Sequence, residues 1–329
     1  MVFLVSLVLA LAAIFCIDIA VGPSMLHVKE VLQTIFSPQQ ADLSTRVIVW
    51  EVRLPYAVMA VLVGAALSLA GCEMQTIMNN PMASPFTLGV SAAAAFGAAL
   101  AIILGISIPQ AGDEWAVAAN AFLFAFGAVM LLQSLSGLRN TGPEVLVLFG
   151  IALVFTFNAL VGILQYVASA EALQQFIFWS LGSLTKANWQ SITTLLVVIV
   201  AVAPFSFASA WQMTALRLGE DSARSYGVNV GRLRFFSLLR VSLLTATAVA
   251  FVGIIGFVGL VGPHIAKLLI GEDHRYSLPA SVLSGAVIMS LASIASKLVA
   301  PGTIMPVGIM TSLIGVPVFI ALIFGRRKG

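Results

Sequence analysis

The chain has 329 residues, 60% hydrophobic and 9% charged, with a net charge of +3 at neutral pH and a mean hydropathy of +1.07. Soluble domains carry about 25% charged residues, and no soluble core of this size could hide so much apolar surface, so the solvent for most of the chain is a bilayer. The small net charge leaves no electrostatic footprint for a nucleic-acid partner.

Lipid tolerates only segments that satisfy their own backbone polar groups, which leaves helices or closed barrels. The apolar runs are long and unbroken, for example VLVGAALSLAG and LLVVIVAVAPF, and a barrel would show short alternating strands instead. The fold class expected is therefore an all-α membrane protein of about ten spans, near 2–21, 55–78, 86–108, 115–136, 144–168, 190–211, 235–257, 259–270, 278–299 and 305–324. The opening MVFLVSLVLALAAIFCIDIA lacks the positive n-region of a signal peptide and reads as the first span.

Asp18 near the end of that span and Glu73 near the end of the second are both within reach of the interface. The stretch 22–54 reads as a long mixed loop. The second span carries small and polar residues at helical spacing: Ala60, Gly64, Ser68, Gly71 and Gln75. Such a stripe marks either a close helix crossing or the lining of a pore. Pro81 and Pro85 punctuate a tight turn after it. Cys16 and Cys72 lie inside apolar runs, without metal or disulfide spacing, and read as small packing residues.

Residues 212–234 form the longest polar stretch, with a helix-like piece, LGEDSARSYG, closed by Gly227. Leu218, Ala223, Tyr226 and Val228 give it an apolar side to bury, so it reads as a short amphipathic helix able to serve as a docking knob. In FVGIIGFVGLVGPH, Gly253, Gly256, Gly259 and Gly262 recur every third residue and Pro263 follows, which predicts either a broken span or a tight crossing. Counting Lys and Arg by side groups Arg139, Arg217, Arg224, Arg232, Arg234, Arg240, Lys267, Arg275, Arg326, Arg327 and Lys328 against Lys29, Arg46, Arg53, Lys186 and Lys297. The richer side is expected in the cytoplasm, with both termini there.

Chemistry of the chain's own is not visible. The sequence holds no phosphate loop, no H-E-x-x-H and no clustered metal ligands; His27, His264 and His274 are dispersed. An ion-driven carrier would call for paired charges at mid-membrane depth, and no such pair is apparent in the sequence.

Six strings in order resemble one family: RLPYAVMAVLVGAALSLAG, MQTIMNNPMASPFTLGVSAAAAFGA, FWSLGSL, LGEDSARSYGVNVGRLR, GFVGLVGPHIAKLLIGEDHRYSLPAS and MPVGIMTSLIGVPVFIALI. Together they resemble the permease subunits of ATP-binding-cassette importers for iron–siderophore complexes, haem and cobalamin. The resemblance implies a type II importer fold over 1–329, one permease domain with 212–234 as its coupling-helix loop. It also implies a multi-pass protein of the bacterial cytoplasmic (inner) membrane that is not itself an enzyme. The implied partners are a second permease subunit, identical or homologous, two cytoplasmic ATPases that bind ATP and Mg, and an extracytoplasmic solute-binding protein. This chain would bind no cofactor or metal of its own.

By the same resemblance Leu218, Gly219, Glu220, Asp221, Ala223, Arg224, Gly227, Val228 and Asn229 couple to the ATPase. Asn80, Pro81 and Met82 form a gate turn, and Thr141–Glu144 a second gate loop. Arg53 and Lys297 dock the binding protein, while Gly64, Ser68, Gly71 and Gln75 are candidates to line the pathway. Ferric siderophore leads as the implied cargo, with haem or cobalamin as alternatives. Three positions depart from the family pattern: Tyr56 and Ile304 replace its usual charged residues, and Glu73 stands where an apolar residue is usual.

Overall fold

The computed structural model describes the chain except residues 1, 23–25, 109–111, 113–114, 140–142, 301 and 326–329, with side chains described outside 135–144, 319 and 321–329. Among the described residues all regular structure is helical. The ten expected spans appear as α1 (Val2–Ala20), α4 (Leu54–Ile77), α5 (Val90–Leu104), α6 (Ala116–Arg139), α7 (Pro143–Val167), α9 (Trp189–Ala208), α12 (Val230–Val252), α13 (Val258–Ile270), α14 (His274–Leu298) and α15 (Val307–Gly325). Among the described residues seven helices are long and apolar enough to cross a bilayer by themselves, and three shorter apolar helices accompany them.

The stretch 22–54 is more ordered than expected. It contains α2 (Val28–Phe36) and α3 (Leu43–Val47), the latter running through a π-helical turn, Ile48–Arg53, straight into α4. Local caps start both: the His27 N–H donates to Glu30 and the Thr45 N–H to Asp42. Val31 and Val49 then bury against Ile19 and Ala57, fixing the segment to α1 and α4. The π turn sits immediately before Pro55, which has no N–H to donate and clashes with the carbonyl four residues back. Widening the helix there lets it continue, with the Leu54 N–H reaching back to the Val49 carbonyl.

Two further helices, α8 (Ala170–Ser180) and α10 (Ala210–Arg217), fall wholly or mostly in regions read as connections, and α11 (Glu220–Ser225) is the short helix expected before Gly227. Helix α12 begins at Val230, not near 235, because the Asn229 side chain accepts from the Arg232 N–H at 2.9 Å and caps it. Arg232, Arg234 and Arg240 therefore lie on a helix, and Arg240, counted above with the Lys- and Arg-rich side, is buried.

Helix α4 is the axis of the bundle. Every residue from Val63 to Ile77 is buried, and the helix packs along α14, α12 and α13. It has no polar face because other helices surround it. Its small residues set the spacing: a Cβ on Gly71 would stand 1.7 Å from the Gly259 carbonyl oxygen, and one on Gly64 2.3 Å from that of Gly285.

Of the two readings of the glycine repeat, a broken span or a tight crossing, the chain shows both: the helix breaks, and Gly259 and Gly262 then pack closely on α4 and α14. Helix α12 stops at Val252, residues 253–257 are unwound, and α13 restarts at Val258. At 13 residues, α13 is about 20 Å long, short of the roughly 30 Å hydrocarbon core. Gly253 and Phe257 take left-handed φ values of 74° and 66°. Non-helical backbone at this depth needs partners. The Val252 carbonyl accepts from the Ser183 N–H at 2.8 Å, and Gly182 sits so close to the Ile254 carbonyl that a side chain there would collide with it.

Candidate functional site

Two ends and one groove carry the features of interest. The arginine-rich end gathers the C-termini of α4 and α13 and the N-termini of α12 and α14, together with α10 and α11. Here α11 stands as a two-faced knob. Ala223 and Val228 are buried in the core, whereas Leu218 and Tyr226 are 66% and 61% exposed. Of the four residues expected to bury the knob, then, two do so and two face outward beside exposed Asp221, Arg224 and Asn229. Gly219 and Gly227 bracket the helix at φ 108° and 81°, backbone that favours glycine.

Beneath the knob lies a polar junction. The His274 ring bonds the hydroxyls of Thr76 at 2.7 Å and Thr214 at 3.2 Å, joining α14, α4 and α10. Arg217 pairs with Glu272. Asp273 caps α14, and its hydrogen bond from Arg275 holds its carboxyl below the usual range.

The expected gate turn follows α4. Asn79 is left-handed at φ 44°, the Asn80 N–H donates to the Gln75 carbonyl at 3.1 Å, and the Asn80 side chain accepts from the Met82 N–H at 2.9 Å. Met82, Ser84, Phe86 and Thr87 then form one wall of a groove of about 1000 Å³. Its other walls are Ser180 and Leu181, the unwound Ile254–Phe257 backbone with Leu260, and the α15 face from Gly308 to Pro317. None of the lining residues is charged. The expected second gate loop, Thr141–Glu144, lies outside the described side chains.

The stripe on α4 is a packing seam and not a wall of this groove. Gly64, Ser68 and Gly71 press on α13 and α14, and the Ser68 hydroxyl donates to the Ser281 carbonyl at 2.6 Å. The Gln75 amide donates to the Leu260 carbonyl and its oxygen accepts from Lys267. Residues small enough to admit a neighbouring backbone have admitted one.

At the opposite end Arg53 and Lys297 are 4% and 7% exposed. Arg53 donates to the carbonyls of Ile19 and Ala20 at the end of α1, and Lys297 pairs with Asp18 at 2.7 Å. The Lys297 ammonium also lies over the Tyr56 ring, whose hydroxyl bonds Ser296. In this conformation neither cation is presented to solvent. Lys29, Arg46 and Lys186, on the same end by the charge count, are exposed.

Asp18 and Glu73 do not reach an interface. Each is fully buried and paired, Asp18 with Lys297 and Ser293, and Glu73 with Arg240. Arg240 donates to both Glu73 oxygens at 2.8–3.0 Å and to the hydroxyls of Ser209 and Ser237. The sequence shows both acids but not their partners, which lie 279 and 167 residues away. Among the described residues no cluster of His, Cys, Asp or Glu could hold a metal ion.

A many-helix bundle with a broken span beside a charge-free groove is the build of a polytopic membrane protein. The chain belongs to the FecCD transport family, which it matches over residues 9–325, and is an ATP-binding-cassette importer permease. It is 37% identical to the hemin transport permease HmuU of Yersinia pestis, covering 85% of this chain and 84% of that one. It is 32% identical to the molybdate import permease MolB of Haemophilus influenzae, covering 99% and 96%, and 37% identical to the cobalamin import permease BtuC of Halobacterium salinarum, covering 86% and 75%. A solved structure described as a metal-chelate type transporter in an inward-facing conformation superposes with a TM-score of 0.85 at 31% identity, over 98% of this chain and 99% of that one.

Proposed function

We propose that this permease imports a bulky metal chelate, a ferric siderophore first, with haem and cobalamin as alternatives. The supporting observation is the groove: about 1000 Å³, walled by Phe86, Phe257, Leu313, Val316 and Pro317, with no charged side chain. A hydrated oxyanion crossing such a surface would lose its water without gaining a cation or a row of donors. A chelate whose periphery is partly apolar meets no such penalty. The relatives named for hemin and cobalamin support the same class, and the one named for molybdate marks the rival cargo.

Transport is driven from the arginine-rich end. The exposed face of α11, with Leu218, Asp221, Arg224 and Tyr226, seats on a cytoplasmic ATPase, and the Asn80–Met82 turn gates the groove. A second permease copy closes the open side of the groove. Arg53 and Lys297 engage the solute-binding protein only if the α1 end loosens, so first contact falls to exposed Lys29, Arg46 and Lys186. The rival reading, an ion-coupled carrier, has the two buried ion pairs in its favour. Both pairs are closed by mutual hydrogen bonds, and neither lines the groove, so they offer an ion no route.

The test is uptake in a strain lacking this chain and complemented with it. A radioactive iron(III) trihydroxamate should accumulate with ATP, whereas molybdate should not. Arg224→Glu should abolish that uptake while the protein remains in the membrane. Molybdate uptake in place of the chelate would overturn the cargo assignment, and full uptake by Arg224→Glu would overturn the coupling role of α11.

A further inference from the structure

Helix α4 ends at Ile77, and the last four carbonyls of any helix lack partners inside it. Three are taken up by the turn that follows. The Met74 carbonyl accepts from the Met78 N–H at 3.0 Å, that of Gln75 from Asn80 at 3.1 Å, and that of Thr76 from Asn79 at 3.1 Å. The fourth, on Ile77, accepts from the Arg234 Nε at 3.2 Å, across 157 residues of chain. The other end of the same guanidinium pairs with Glu220, the first residue of α11. A planar guanidinium holds two partners at a fixed angle in a way a lysine cannot, and a cation at a helix C-terminus is favoured by the helix dipole. Arg234 thus joins the knob directly to the last peptide before the left-handed Asn79 turn. Deeper in the bundle, Arg240 grips Glu73, one helical turn before Ile77 on α4. Two arginines of α12 therefore hold the same end of α4 and prevent it from sliding along α12.

We infer that Arg234 is a positioning residue that carries displacement of α11 to the Asn79–Met82 turn, with the Arg240–Glu73 pair making α12 and the end of α4 a single lever. This inference rests on the proposed coupling of α11 to an ATPase. What it adds is the physical element that both sites share, which a claim of coupling between them requires.

The test uses the full chain reconstituted in lipid with its ATPase subunits. A spin label is placed at Met82→Cys, with Cys16→Ser removing the exposed native thiol. The distance between labels on the two permease copies is measured without nucleotide and with ATP plus vanadate, and ATP hydrolysis is measured in parallel. The unaltered protein should show a nucleotide-driven shift. Arg234→Met should keep hydrolysing ATP while the shift shrinks about two-fold or more. Arg234→Lys, which keeps the charge but cannot span both partners, should lose part of it. Arg232→Met, on the same helix turn but exposed, should leave it intact. A full shift in Arg234→Met overturns the inference, and if that variant does not assemble, a full shift in Arg234→Lys does so. Absence of any shift in the unaltered protein overturns the coupling reading itself, and this inference with it.

Discussion

Glu73 and Arg240 illustrate what a buried charge does in this bundle. Their bidentate contact, completed by Ser209 and Ser237, leaves no obvious polar deficit on either side. Such pairs add little net stability because desolvation offsets the attraction, yet losing one partner costs about 3–5 kcal/mol. Glu73→Leu alone should therefore sharply lower the melting temperature of the detergent-solubilised protein. Glu73→Leu with Arg240→Met should recover most of the loss, since two apolar side chains can fill the space. A single variant as stable as the double would show that the buried arginine finds other compensation. Sequence alone shows Glu73 as an oddity and Arg240 as one of many cations near a membrane edge. Nothing in local spacing could join them, because their meeting depends on α4 and α12 lying side by side.

Helix crossings decide the next level. The small-residue stripe on α4 is legible in the sequence, but its meaning is not, because packing seams and pore linings call for the same residues. At Gly71 the stripe serves a seam, since the Gly259 backbone occupies the space a side chain would need. Gly71→Ala should force α4 and α13 apart at a cost of about 1–3 kcal/mol, seen as a lower melting temperature. Gly127→Ala on α6, where a Cβ meets nothing within 4 Å, should leave stability unchanged or raise it by up to about 1 kcal/mol. Equal effects at the two sites would refute the seam. The glycine run held both of its readings at once: Gly253 and Gly256 fall in the unwound stretch, whereas Gly259 and Gly262 sit inside α13 and pack closely on α4 and α14. The helices within 22–54 were hidden because their caps are short polar signals inside a mixed stretch, and their anchoring partners, Ile19 and Ala57, lie on other elements.

For the whole molecule, the all-helical class and the approximate number of spans followed from composition, because lipid demands long, self-satisfied helices without regard to tertiary detail. Orientation can be checked directly. With Cys16 replaced by Ser, a membrane-impermeant thiol reagent should label Arg46→Cys from outside intact cells and Tyr226→Cys only after permeabilisation. Both positions are exposed, so access and not burial would set the outcome, and the reverse pattern would invert the topology. The site was less legible than the fold. The knob could be read from its glycines and charges, whereas the groove is made by residues scattered from Met82 to Pro317 that no motif groups.

The unwound turn at 253–257 has a wider consequence. Its neighbours at 182 and 308 meet it main chain to main chain, and α4 meets α13 and α14 in the same way. The frame of the protein is therefore set by distances between backbones, which amino-acid replacement can only widen. The rim at Met82, Phe86 and Val316 obeys no such restriction, since these side chains are exposed. Mutation can therefore reshape the rim of the groove while the backbone frame stays as it is.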